Sequence, residues 1–195
     1  GAGAGVGPAA MESGMSVLLA LDPGTSCGWC IMNDEGVVLA AGVWSLRRSP
    51  KDRRGLLLAR AWSLIGDAVG KHKPCAIAYE RVFAHSSADA KDLYGGIVGV
   101  AEMVADSWSL PTEKVPVGTW KKALTGKGNA KPPAYLAAAR AKWPGVALEE
   151  DSAAACGIGD AARCGLHDVA KSVRTNVRKN VRTNVRTGTR ASKTT

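Results

Sequence analysis

Residues 17–21 (VLLAL) are apolar at every position, and the run stops at Asp22. An apolar run of strand length without alternation predicts a central strand covered on both faces. Two more short runs follow, 28–34 (GWCIMND) and 37–44 (VVLAAGVW), set off by Pro23-Gly24-Thr25 and by Asp34-Glu35-Gly36. Three strands joined by tight turns predict an antiparallel meander. Over 53–70 the period lengthens to that of a helix, with Leu58, Trp62, Ile65 and Val69 on one face and an end at Gly70. Residues 74–80 (PCAIAYE) predict another buried strand, and it too ends on an acid, Glu80. Helical spacing returns from Ala88 to Trp108, where Gly95, Gly96 and Gly99 would permit close approach of a neighbour at some cost in propensity. A short strand is predicted at 114–117 (KVPV), and a helix opening on proline at 132–143. The last element, 151–166, reads as an alanine-rich helix whose acidic first turn suits the helix dipole. Together these elements make an α/β fold with a mixed sheet.

Composition narrows the class. The 195 residues, 46% of them hydrophobic, fit one globular domain with a tail. No run approaches the ~20 apolar residues of a membrane span. Residues 1–15 lack a basic stretch leading into an apolar one, so a flexible leader is expected there rather than a signal peptide. The cysteines at 27, 30, 75, 156 and 164 are odd in number and form no framework, which predicts reduced thiols in a cytoplasmic setting. Cys27 and Cys30 are spaced like half a zinc site, but no second pair follows, and core-filling thiols are the better expectation. The net charge of +9 is uneven: residues 171–195 hold eight Lys/Arg and no acid, leaving 18 basic against 17 acidic residues elsewhere. The repeat VRTNVRKNVRTNVRTG lies within that stretch. Residues 16–168 are therefore expected to fold, and 169–195 to form a basic disordered tail. That tail is either merely solvated or an arm touching phosphates without reading sequence.

Candidate chemistry lies in the acids that end the apolar runs. If the first and fourth strands are adjacent and parallel, Asp22 and Glu80 meet in the crevice at the sheet's carboxyl end. Asp151, at the start of the last helix, could complete the group. Clustered carboxylates repel unless a cation neutralises them, and oxygen donors suit magnesium or manganese. Two such ions ~4 Å apart are the usual clamp for attack on a phosphodiester.

Four stretches in order, LLALDPGTSCGWCIM, AIAYERVF, TWKKALTGKGNAK and EEDSAAACGIG, resemble the motifs of the RuvC-type Holliday-junction resolvases, within the ribonuclease H-like superfamily. Their spacing is closer to the phage branch than to the bacterial housekeeping enzyme, and they cover roughly Val17 to Leu166. The resemblance implies a mixed five-stranded sheet flanked by helices. It also implies a homodimer, in the host-cell cytoplasm if phage-encoded, that cuts symmetric strands of a four-way DNA junction. Asp22, Glu80 and Asp151 would hold two Mg²⁺ (or Mn²⁺) ions per site. Phe83, the chain's only phenylalanine, stands at the family's aromatic position three residues beyond the glutamate. A base-stacking role there is weighed against an ordinary core role. Arg81 is assigned to DNA with it. So are Lys121, Lys122, Lys127 and Lys131, whose charges surround Gly126 and Gly128, glycines that would let backbone amides approach a phosphate.

The pattern breaks at Ala154. The family carries two acids three residues apart in its last motif, on one helical face, and here Asp151 fits the first while Ala154 stands at the second. Asp160 lies two and a half turns on, across the helix from Asp151, and Glu150 is expected to point elsewhere. The expectation is a crossover junction endodeoxyribonuclease impaired at Ala154, with a non-catalytic branched-DNA-binding protein as the alternative. A sugar-kinase-type ATPase would need a second Asp-x-Gly-Thr turn, which is absent from the sequence. Ribonuclease or transposase activity on the same fold is disfavoured by the lysine-rich segment and Phe83. None of His72, His85 and His167 is placed clearly enough to name a general base.

Overall fold

The computed structural model describes residues 16–47, 53–83 and 87–163. The leader, the basic tail, Cys164, His85 and His167 fall outside them. Strands β1 (Val17–Asp22), β2 (Ser26–Asn33) and β3 (Val38–Ser45) come first, followed by helix α1 (Arg54–His72) and strand β4 (Ala76–Arg81). Then come α2 (Ala88–Ser107), β5 (Thr112–Pro116), α3 (Val117–Thr125) and α4 (Pro132–Lys142). A fifth helix, α5, occupies 150–163.

The sheet order is β3-β2-β1-β4-β5. β1, β2 and β3 pair antiparallel as the expected meander, while β1, β4 and β5 run parallel. Strand alternation divides the core into two layers. Leu19, Leu21, Ile77 and Tyr79 face α1 and α2, whereas Leu18, Ala20, Ala76 and Ala78 face the layer of Trp120, Tyr135, Trp143 and α5. The expected mixed five-stranded sheet covered on both faces is therefore present. Among the described residues no helix is long and apolar enough to cross a membrane. Cys27, Cys30 and Cys156 are buried free thiols, and Cys75 is a half-buried one.

Two elements differ from the sequence expectation. On α1 the buried face is Leu57, Ala61, Ile65, Ala68 and Val69; Leu58 is half-buried and Trp62 is 42% exposed. Leu58 lies one residue round the helix, packed towards Gly96 of α2. The small alanines that do face the sheet carry little weight in a periodicity read from large side chains. The helix also runs on past Gly70 to His72, closed by Lys73 in a left-handed conformation. Secondly, Val117–Thr125 is a helix, an element the sequence pattern does not predict there. Gly126, at φ 77°, ends it and donates its N–H to the Lys122 carbonyl, an ordinary glycine stop.

Candidate active site

The β1–β4 register sets the site. Leu21 pairs with Tyr79, so the next residues, Asp22 and Glu80, sit side by side at the ends of adjacent parallel strands. Leu21 and Tyr79 point into the α1/α2 layer. Alternation then turns Asp22 and Glu80 to the opposite face, where α3, α4 and α5 lie. Asp22 also pairs with Gly28 across β2. A Cβ on Gly28 would stand 2.0 Å from the Asp151 carbonyl oxygen, so only glycine lets the first turn of α5 rest on β2. This contact brings Asp151 to the strand ends.

The charges of the three acids act on one another. Burial pushes the Asp22 carboxyl well above the ordinary carboxylate range, and the negative charges of Glu80 and Asp151 push it further. Lys121 opposes the rise, and nothing among the described residues donates a hydrogen bond to Asp22. Glu80 is raised by burial too, opposed by a hydrogen bond from Trp120 and the charge of Lys121. Asp151 is raised by burial, then by Glu150 and Glu149, with Arg47 opposing.

Three side chains that the sequence did not single out, Trp120, Tyr94 and Tyr135, build the walls of this group together with Glu150. The Trp120 indole Nε1–H donates to Glu80 Oε1 at 2.8 Å. The Tyr94 hydroxyl donates to the Glu80 carbonyl at 2.7 Å and accepts from the Val82 N–H at 3.3 Å, tying α2 to the end of β4. The Tyr135 hydroxyl donates to Glu150 Oε1 at 3.2 Å. Glu150 adds its charge to the rise of both Asp22 and Asp151. Its expected orientation away from the site is thereby corrected: as a first-turn residue it lies at the acid cluster, held by α4. Only the acid-rich spelling of residues 149–151 hinted at this.

Ala154 is 2% exposed, one turn into α5, within the apolar layer that includes Cys30, Trp120 and Ala153. Asp160 is buried and serves structure: Arg163 Nε donates to it at 2.9 Å, and Lys142 pairs with its other oxygen. The lysines of the 119–131 motif divide. Lys121 is half-buried, with its ammonium 5.4 Å from the Trp120 ring centre and 5.3 Å from that of Tyr135, and it faces the acids. Lys122, Lys127 and Lys131 are exposed, and the latter two line a shallow hollow with Thr125 and Asn129. Beyond β4, Phe83 is 73% exposed and carries the Arg81 guanidinium over its ring at 4.7 Å. A core role for Phe83 is excluded by that exposure.

A hard divalent cation fits the chemistry of this donor set: oxygen ligands, crowded like charges and a carboxylate without a donor. Among the described residues, no group of three or more Asp, Glu, His or Cys side chains is placed so that it could hold a metal ion, so the fit is one of donor chemistry and not of preformed geometry.

The order of strands, three antiparallel then two parallel, with helices on both faces and acids at the β1 and β4 ends, defines a ribonuclease H-like fold. Within that class the chain is similar to the RuvC-type resolvases, in keeping with its motifs. It is 28% identical over 120 residues to "Crossover junction endodeoxyribonuclease RuvC" of Chromohalobacter salexigens, covering 61% of this chain and 64% of that relative. The RuvC of Vibrio atlanticus is 29% identical over 118 residues, 60% of this chain and 68% of the relative. The matched region thus spans about two-thirds of these curated relatives. Among solved structures, Thermus thermophilus RuvC in complex with a Holliday junction substrate superposes with a TM-score of 0.66 at 20% identity, covering 77% of this chain and 96% of that one. The yeast mitochondrial Holliday junction resolvase Ydc2 superposes with a TM-score of 0.54 at 14% identity, covering 81% and 84%. No protein-family model matches the chain.

Proposed function

We propose that this chain is a structure-specific DNA endonuclease that resolves four-way junctions as a homodimer, by Mg²⁺- or Mn²⁺-dependent hydrolysis of phosphodiesters. The observation that carries the reading is the pairing of Asp22 with Glu80 at adjacent strand ends beneath Asp151. The similarity to named crossover junction endodeoxyribonucleases supports it. Asp22, Glu80 and Asp151 would hold the ions, two per site, which when bound supply an activated water and charge neutralisation at the phosphate. The protein's own residues do the rest. Trp120 and Tyr94 fix Glu80, Lys121 offsets the surplus negative charge, and Lys122, Lys127 and Lys131 hold the backbone of an incoming strand. Phe83, stiffened by Arg81, stacks on a base unpaired at the branch point. The four cysteines among the described residues are free thiols, which accords with a reducing, cytoplasmic setting.

Ala154 favours a second reading, because it leaves the helix one acid short of the family pattern. In the first reading the chain is an impaired nuclease; in the second it binds branched DNA without cutting. Incubating the chain with a labelled four-way junction and a matched duplex, with Mg²⁺ and with EDTA, separates the two. Paired nicks in the junction only with Mg²⁺ support the nuclease. Junction-selective binding without nicks at any cation concentration supports the binding protein, and equal binding to both DNAs refutes both.

A further inference from the structure

The geometry points to Trp120 as the positioning residue that orients the Glu80 carboxylate for cation binding, an inference that rests on the proposed nuclease site. Trp120 is 1% exposed and among the largest fully buried side chains. Its ring lies against Gly157 of α5, where an added Cβ would stand 2.7 Å from Cε3. Tyr135 meets it edge-on, with ring centres 5.2 Å apart. A ring wedged between two helices in this way has no second rotamer available without moving a neighbour. Its indole nitrogen is a donor only, and the one acceptor it reaches is Glu80 Oε1 at 2.8 Å.

The consequence is specific to the carboxylate. One Glu80 oxygen is taken by the indole, and the other is left for a cation. Tyr94 meanwhile holds the main-chain carbonyl of the same residue, so both ends of Glu80 are fixed. Asp22, its neighbour on β1, receives no such bond among the described residues. The type of donor also matters. A lysine or arginine at 120 would orient Glu80 but cancel the charge a cation needs, whereas a neutral indole N–H orients it and leaves that charge in place. Partners of this kind typically change metal affinity 10- to 100-fold when removed.

The test is a thermodynamic cycle on Mn²⁺ binding, read by electron paramagnetic resonance of free Mn²⁺, with Trp120→Phe, Glu80→Gln and the double variant. Phenylalanine keeps a buried aromatic ring, removes the donor and leaves a smaller side chain, so the double variant is what isolates the hydrogen bond from the lost packing. About tenfold weaker Mn²⁺ binding by W120F, with no further loss when W120F is added to E80Q, is the expected result. Unchanged affinity in W120F, or an equal loss in the E80Q background, overturns the inference while leaving the nuclease reading intact. Absence of Mn²⁺ binding by the unaltered chain removes both. A measurement on that chain guards against a variant that fails to fold. In ¹⁵N-tryptophan spectra, one indole N–H must shift on Mg²⁺ addition and in E80Q. If no indole signal responds to either, Trp120 does not act through Glu80.

Discussion

Converting Ala154 to aspartate is the most informative perturbation, because stability and chemistry predict different things for it. The side chain is 2% exposed within the apolar layer formed by the sheet, α3, α4 and α5. The nearby carboxyl of Asp22 is already pushed up by burial and by the charges of Glu80 and Asp151. A fourth carboxylate one turn from Asp151 adds a further like charge in a place short of water. Leaving a buried charge uncompensated costs about 3–5 kcal/mol. For a chain of this size each kcal/mol lowers Tm by roughly 2–4 °C. In EDTA the variant should therefore melt roughly 6–20 °C below the parent. If position 154 faces the metal-binding group, Mg²⁺ or Mn²⁺ neutralises the new charge. The melting difference should then close by at least half, and paired nicking of a four-way junction should rise by orders of magnitude. The assay is a set of thermal melts in EDTA and in 10 mM-scale Mg²⁺, alongside junction cleavage. A deficit that is the same with and without the cation, with no gain in nicking, would refute the idea that Ala154 is the impairing position.

Three further outcomes are expected. Asp22, Glu80 and Asp151 are all raised above their ordinary values. Between ordinary and raised values the folded state thus binds more protons than the unfolded one, and in EDTA stability should rise as pH falls from 7 towards about 4, then level off. Glu102, held low chiefly by the Tyr79 hydroxyl and then by Lys114, is mostly solvated and works weakly in the opposite sense. Urea unfolding at pH 7 and pH 5 checks the sign, and a loss of stability at the lower pH contradicts the clustering. Gly28→Ala drives a methyl to 2.0 Å from a carbonyl oxygen. It should cost more than the ~1–3 kcal/mol of ordinary overpacking, seen as a Tm drop and weaker Mn²⁺ binding together. Phe83→Ala, at a side chain 73% exposed, should leave stability within about 0.5 kcal/mol. It should also weaken junction binding by roughly 1–3 kcal/mol with duplex binding unchanged, as judged by gel shift.

The sequence makes some of this site visible and hides the rest for definite reasons. Asp22 and Glu80 could be found because each interrupts an apolar run at the point where a buried strand must end. Parallel pairing then forces neighbouring strand ends together. Phe83 and the lysines were visible through motif spacing alone, and spacing does not distinguish Lys121, turned to the acids, from Lys127 and Lys131 on the surface. That distinction depends on α3 being a helix, and Gly118 beside mediocre helix formers concealed it. Trp120 was hidden more deeply. A tryptophan beside two lysines looks like part of a DNA-binding face, yet its neighbours in space, Glu80 and Gly157, lie 40 and 37 residues away along the chain. Glu150 was misjudged because helical periodicity was applied to a first-turn residue, where the direction of a side chain depends on how the helix is seated.

That seating gives Ala154 a second physical meaning. Helix α5 comes close to its neighbours at three places, two on the sheet and one on α3, where small residues make room. At Gly28 the Asp151 carbonyl comes within what would be 2.0 Å of a Cβ; at Gly157 the Trp120 ring would be at 2.7 Å, and at Gly159 the Ala20 methyl would be at 3.2 Å. Ala153, Ala154 and Ala155 fill the interval between the first two contacts. The depth of α5 therefore sets both how close Asp151 comes to Asp22 and how firmly Trp120 is pressed towards Glu80. Alanine at 154 permits that depth. An aspartate there must either project into the acid group or lift the helix, and lifting it would loosen Asp151 and Trp120 at once. If position 154 faces the cations, the absence of an acid there and the seating of α5 are coupled through one helix. Ala154→Asn, which matches aspartate in size and adds no charge, separates them: Mn²⁺ affinity unchanged in that variant assigns the effect of A154D to charge rather than to displacement of α5.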